Sequence, residues 1–214
     1  MRITFISDTH SKHNELNGRL PGGDVLVHCG DISNLGRLSE IENFLKWFEA
    51  QDYEHTIFIA GNHDFGFANP DPMIHKSITY LLNSYVVTYL QDSSVTINGI
   101  KFYGSPWTPI FNDWAFNMDN VALENKWSYI PDDTDVLITH GPPKGILDLT
   151  REGLSVGDPA LLQALSRVKP KIHAFGHIHE ANGIYESDNG IKLINASSVN
   201  RDYRVVNTPI TIEL

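Results

Sequence analysis

Gly61-Asn62-His63-Asp64 sets three polar side chains of different chemistry in a row, directly after the apolar run at 56–60. Asn62 offers a neutral carbonyl oxygen, His63 a ring nitrogen that titrates near neutrality, and Asp64 a carboxylate. Such a cluster at the end of a strand is poor material for a core and good material for a site. Four more apolar runs end the same way, in Asp8-x-His10, in Gly30-Asp31, in His140 and in His177-x-His179. This many oxygen and imidazole donors divide naturally into two metal sites. The donor types suit Mn²⁺, Fe or Zn²⁺, and the lack of thiolates argues against a closed structural zinc site. One Asp bridging two cations is the economical way to hold them about 3.5–4 Å apart. The Asp-x-His and His-x-His spacings put alternate side chains on one face of an extended segment, where both can point into one cavity.

Strands must stand behind these residues. The stretches 3–6, 25–28 and 56–60 read as strands. Asn17-Gly18 and Pro21-Gly22-Gly23 mark a loop between the first two. A helix separates the second and third. Ser39 and Glu42 form a capping-box pattern for it, and Ile41, Phe44, Leu45 and Phe48 recur at i, i+3, i+4 and i+7. In parallel α/β sheets the carboxyl ends of the strands line the binding crevice. A second helix is predicted over 72–83, and after 85–90 the pattern changes. Asn98-Gly99 between 95–97 and 100–103 predicts a hairpin on a type I′ turn. A loop rich in aromatics covers 105–117. Strands at 135–139 and 171–175 lead into His140 and His177, with a helix over 159–168 between them. A second hairpin turns at Asp188-Asn189-Gly190, and 208–214 reads as a closing strand. No repeat or linker interrupts the chain, so one domain over 1–214 is expected. Parallel-type strands early and hairpins late suggest two sheets.

With 41% apolar and 20% charged residues, 214 residues can bury a sizeable core. The net charge of −10 opposes a phosphate backbone, so no extended nucleic-acid partner is expected. A small phosphate ligand stays open, because a bound dication inverts the local field. Cys29 is the only cysteine, so no internal disulfide exists. No apolar run approaches the roughly 20 residues needed to span a bilayer, so no membrane partner is expected. Met1-Arg2 leads straight into the first strand without a signal-peptide pattern, which predicts a cytoplasmic protein. Nothing in the sequence speaks to oligomeric state.

The blocks Asp8-Thr9-His10, Gly30-Asp31, Gly61-Asn62-His63-Asp64, Thr139-His140-Gly141 and Gly176-His177-Ile178-His179 resemble, in order, the five motifs of the calcineurin-like metallophosphoesterases. Gly104-Ser105-Pro106-Trp107-Thr108-Pro109 and Ile194-Asn195-Ala196-Ser197 add a resemblance to the small metallophosphoesterase-domain branch, which is associated with phosphodiesterase activity, including on cyclic nucleotides. The resemblance implies a four-layer α/β/β/α sandwich of two mixed sheets flanked by helices. It implies two divalent cations, with Mn²⁺ expected and Fe/Mn or Zn²⁺ as alternatives. Asp8, His10 and His179 would hold the first, Asn62, His140 and His177 the second, and Asp31 would bridge them. Some members of the branch carry Gly where this chain has His177, so the second site should be complete here. His63 would protonate the leaving oxygen, and Asp64 would orient or polarise His63. The implied activity is hydrolysis of a small phosphodiester, with a cyclic or short nucleotide as candidate substrate, by metal-activated hydroxide. A phosphomonoesterase and a weakly active nucleotide-binding or scaffold protein stay open as alternatives.

The other five histidines have plainer readings. His28 is expected as a satisfied core residue or a support behind the ligands, His55, His75 and His173 as surface or packing residues, and His13 as part of a solvated loop, with contact to a substrate as the competing reading. Trp107, Phe111, Trp114 and Phe116 are expected to pack their loop onto the sheet; the competing reading is a cleft wall that stacks a base. Arg37 is a weak candidate for phosphate contact, because Asn34-Leu35-Gly36 departs from the protein phosphatase pattern.

Overall fold

The computed structural model describes all residues, 1–214. Strands β1 (Arg2–Ile6), β2 (Gly23–His28) and β3 (Tyr53–Phe58) become buried on both faces toward their C-terminal ends, the pattern of parallel strands covered on either side. Helix α1 (Leu38–Glu49) crosses from β2 to β3. The short helix α2 (Phe65–Ala68) and α3 (Pro72–Ser84) then lead to β4 (Thr88–Tyr89). The hairpin of β5 (Ser93–Ile97) and β6 (Ile100–Ser105) turns on Asn98 and Gly99, both at positive φ (49° and 82°), as the type I′ turn requires. A two-residue pair, β7 (Thr108–Pro109) and β8 (Asn117–Met118), ties the ends of the aromatic loop. There follow α4 (Asn120–Ser128), β9 (Val136–Thr139), α5 (Pro159–Val168), β10 (Ile172–Phe175), β11 (Gly183–Glu186), β12 (Lys192–Asn195) and β13 (Ile210–Glu213).

Two mixed sheets result. The first runs β13-β1-β2-β3-β4, parallel except for β13; the second runs β11-β12-β10-β9-β6-β5, parallel at its centre with an antiparallel strand at each edge. Alternation along each strand feeds separate cores. Phe5, Val27 and Ile57 face Phe102, Ile138, Ala174 and Ile194 of the other sheet. Ile6, Leu26 and Phe58 face Ile41, Phe44 and Phe48 of α1 and Ile78 of α3. Leu137, Phe175 and Leu193 face Leu123 and Trp127 of α4 and Leu161 and Leu165 of α5. This is the expected four-layer sandwich. Full burial of a phenylalanine such as Phe5 or Phe58 is worth roughly 1.5–3 kcal/mol.

Register places the site. Ile6, His28 and Phe58 stand side by side, so β1, β2 and β3 end together. Ser105 pairs with Thr139, and Phe175 with Asn195, so the central strands of the second sheet also end level. A parallel bridge of Ser7 with Ser197, and a 2.8 Å bond from Ser198 N to the Ser7 carbonyl, join the ends of the two sheets. No helix is long and apolar enough to cross a membrane.

Four elements differ from their expected form. The α1 cap lies two residues earlier than Ser39 and Glu42: Glu40 accepts from the Arg37 N–H at 3.0 Å, so its carboxylate closes the box. Strand β3 ends at Phe58, and Ile59 and Ala60 run on irregularly. The hairpins are not a separate late region but form the two edges of a sheet with a parallel centre. Helix α4 was not anticipated from sequence. Only Leu123 and Trp127 of that helix are buried, too few for a visible apolar stripe, although Asp119 caps its start by accepting from Ala122 N.

Asp158 ties the outer helix layer together. It caps α5 by accepting from Ala160 N at 2.8 Å and accepts from the buried Trp127 Nε1 at 2.5 Å. Asp158→Ala removes a cap and orphans an indole N–H, so urea denaturation should show a loss of roughly 2–4 kcal/mol, and Asp158→Asn a smaller one.

Candidate metal centre

The loops that carry the candidate ligands are bent into unusual backbone conformations. Asp8, His10, Asp31 and His177 all have positive φ (53°, 42°, 56° and 69°). Each such non-glycine residue costs on the order of 1–3 kcal/mol. The bends turn these side chains off the strand ends and toward one another. Two glycines make room for the convergence. A Cβ on Gly61 would lie 2.3 Å from Asp31 Oδ1, and one on Gly176 would lie 2.1 Å from Ser7 Oγ and 2.2 Å from Asp8 Oδ2.

Three groups of donor atoms gather there, each within 4.8 Å: Asp8 with His10 and His179; His10 with Asp31 and His63; Asp8 with Asp31 and His140. His179 Nε2 is 3.6 Å from Asp8 Oδ1 and 3.3 Å from His10 Nε2. Asp31 Oδ2 is 3.7 Å from His10 Nε2 and 3.4 Å from His140 Nε2, so one oxygen reaches both sides of the cluster. Asn62 Oδ1 is 3.0 Å from His140 Nε2. The His177 ring stands 5.0 Å from that of His140, and its backbone N–H donates to both Asp8 oxygens at 3.1 Å. The donor set fits divalent cations. The His10 and His179 Nε2 atoms face each other at 3.3 Å, close enough for both to reach one cation. His140 donates its Nδ1–H to the Cys29 carbonyl at 2.9 Å, which turns Nε2 inward.

Charge explains why these groups tolerate burial. Asp8 is 0% and Asp31 2% exposed. Burial alone would raise both carboxyls, but His179 beside Asp8 and His140 beside Asp31 hold them below the usual carboxylate range. Burial pushes His10 and His177 down to about 4, so both are neutral, with lone pairs to offer, at physiological pH. Burial would lower His140 as well, but the Asp31 carboxylate overrides it and lifts the imidazole to about 9. A cation on Asp31 would take over the electrostatic role of that proton.

Asp64 does not take the role its place in the sequence suggests. No hydrogen bond joins it to the His63 ring. Its buried carboxylate accepts from Ile32 N (3.2 Å), Ser33 N (3.0 Å), Ser33 Oγ (2.5 Å) and Gly61 N (2.8 Å), so it staples the loop after β2 to the loop after β3. Burial next to Asp31 pushes Asp64 up to about 7. The His63 Nδ1–H donates instead to the Asn34 carbonyl at 3.0 Å. The sequence pointed to Asp64 because it is adjacent in the chain, but its backbone turn sends the carboxylate inward.

Other expectations divide. His28 is a core residue as expected but only half satisfied: Nε2 is held by Thr9 Oγ1 at 2.9 Å and Nδ1 has no partner; in buried His173, Nε2 is held by Thr139 Oγ1 at 2.8 Å and Nδ1 again has none. Each thus braces a residue next to a candidate ligand. His13, expected in a solvated loop, is buried against Trp47 and Phe44 because a 3₁₀ turn, His13–Leu16, folds it under α1. Trp107 and Phe116 pack the aromatic loop, with Trp107 Nε1 donating to Asp92 at 2.9 Å. Phe111 and Trp114 line a cleft of about 640 Å³ over the centre, and the Trp114 ring lies 4.2 Å from that of His63. Arg37 is exposed and does not line the cleft. Arg201 and Tyr203 do, and sequence reasoning missed both. Tyr203 stands 4.7 Å from His10 and 5.0 Å from His179, ring to ring. The only trace in sequence is the turn-rich 198–207 segment, whose return to β1 is a long-range event.

Gly176→Ala tests the close approach. Its methyl group would strike Ser7 and Asp8, so titration calorimetry with Mn²⁺ should show loss of at least one binding event, while far-ultraviolet circular dichroism stays native.

Comparison with known proteins agrees with this geometry. Residues 1–181 match the family described as calcineurin-like phosphoesterase. Metallophosphoesterase domain-containing protein 1 of Homo sapiens is 40% identical across all of this chain and 71% of its own length, and the Mus musculus protein matches equally. The crystal structure of TT1561 of Thermus thermophilus superposes with a TM-score of 0.63, over 93% of this chain and 89% of that one, at 10% identity, which shows the shared fold. A family match over most of the chain and a full-length relative at 40% identity make the chain a member of the calcineurin-like phosphoesterases, a metal-dependent hydrolase family with a dinuclear divalent site.

Proposed function

We propose that the protein hydrolyses phosphodiester bonds of a small substrate, with a cyclic or short nucleotide as the best-fitting class, and that Mn²⁺ is its metal. The observation that carries the diester reading is the poverty of the cleft in cations. Arg201 is the one Lys or Arg lining it, and Glu152 engages that guanidinium at 3.5 Å. A dianionic monoester gains more from added cations than a singly charged diester does, so this cleft favours the diester. Phe111, Trp114 and Tyr203 give it aromatic surface on which a base can stack. The oxygen-and-imidazole donor set without thiolate is compatible with Mn²⁺, as it is with Fe or Zn²⁺, and metal analysis of the isolated protein decides among them.

In this reading Asp8, His10 and His179 would hold one cation, Asn62, His140 and His177 the other, with Asp31 shared between them. When bound, the two cations supply charge neutralisation of the phosphoester and a nucleophile at neutral pH. The chain supplies the rest. Buried Asp8 and Asp31 fix where positive charge can sit. His63 is half-buried at the cleft with Nδ1–H committed to Asn34; as an imidazolium it carries a second hydrogen on Nε2, and passing that proton to the leaving oxygen leaves the neutral Nδ1–H ring. Trp114 against His63 limits water at that atom.

The direct test is turnover by metal-stripped protein after Mn²⁺ is restored, on bis(4-nitrophenyl) phosphate beside 4-nitrophenyl phosphate, with Asn62→Ala as control. Faster diester turnover that vanishes in the variant is expected; faster monoester turnover would sink the diester reading. Bound metal with no turnover of either ester would favour the binding or scaffold role. Asp31→Ala should lose both cations on dialysis, and retention of two per chain would remove Asp31 as the bridge.

A further inference from the structure

Something other than Asp64 must aim His63. Its Nδ1–H donates to the Asn34 carbonyl at 3.0 Å, and a carbonyl only accepts. Nδ1 therefore carries a hydrogen whether the ring is neutral or protonated, and the transferable proton of the imidazolium is the one on Nε2. Asn34 and Leu35 are exposed, so no core packing directs that peptide. Asp64 pins Ser33 on one side. On the other side a single carboxylate, that of Glu40, accepts from Asn34 N (3.3 Å), Leu35 N (3.3 Å) and Arg37 N (3.0 Å). The same carboxylate accepts from Ser11 Oγ at 3.3 Å, and Ser11 follows His10 in the chain. Glu40 thus links the loop that orients the proton donor to the loop that presents a candidate ligand.

We propose that Glu40 is a positioning residue for His63. Through the Asn34 peptide it fixes the direction and the tautomer of the imidazole. This rests on the phosphoesterase reading with His63 as the acid. It also means that the first turn of α1, which looks like an ordinary capping box, is part of the proton-transfer apparatus.

The test separates positioning from mere stability by leaving group. Methyl 4-nitrophenyl phosphate releases an anion that needs little protonation, whereas methyl phenyl phosphate depends on the acid. Glu40→Ala should lower turnover of the phenyl ester roughly tenfold more than that of the nitrophenyl ester, as expected for a displaced general acid. Glu40→Gln keeps one acceptor and should recover part of the difference. Manganese content should match the unaltered protein. His63→Ala, run alongside, should show the same preference more strongly. In zinc-loaded protein, ¹⁵N spectra of His63 should show an Nδ1–H tautomer that becomes a mixture in Glu40→Ala. Equal losses on both esters, or an unchanged tautomer, would overturn the role of Glu40. If His63→Ala shows no leaving-group preference, the acid reading fails, and the tautomer measurement still reports on Glu40 by itself.

Discussion

Two buried carboxylates facing a cluster of imidazoles are the constraint around which this molecule is built. Asp8 and Asp31 sit at the meeting point of both sheets, almost without solvent contact. An isolated buried carboxylate is costly enough that a protein ordinarily neutralises it. Here His179 and His140 hold the two charges, and the geometry that allows this is the geometry that would seat two cations. The stability of the strand ends and the chemistry of the site are therefore one problem.

That problem dictates the backbone. Candidate ligands at positive φ, and glycines whose missing Cβ lets carboxylates pass within van der Waals range, are unfavourable locally. They persist because the surroundings over-determine them. The central core between the sheets, the outer cores under α1 and α5, and the Ser7–Ser197 bridge hold the strand ends in place. His28 and His173 brace Thr9 and Thr139 from beneath each sheet. Asp64 and Glu40 do the same for the loops above. Several buried polar residues are thus struts of the candidate ligands and of His63, Asp64 among them, although its place in the sequence suggests a catalytic part.

Around the centre the chain supplies shape more than charge. Aromatic and aliphatic side chains line the cleft, and its one Lys or Arg, Arg201, is shared with Glu152. For a protein of net charge −10 whose cleft offers a single guanidinium, bound cations would supply most of the positive potential that a phosphoester needs.

The motif residues Asp8, His10, Asp31, Asn62, His63, His140, His177 and His179 were legible in the sequence because each lies at the end of an apolar run, and strand ends are marked locally by composition. The helices with full apolar stripes and the Asn98-Gly99 turn were legible for the same reason. What the sequence left open depends on contacts between distant segments. The return of β13 to lie beside β1, and of the 198–207 segment to put Tyr203 against His10, leaves no local pattern. Helix α4 buries too few side chains to declare itself. The orientation of His63 was misread because adjacency in sequence suggested Asp64. The fold turns Asp64 inward, where four donors await it, and gives His63 the carbonyl of a residue 29 positions away. Local chemistry determines which residues can act; only the packing of the two sheets decides which of them meet.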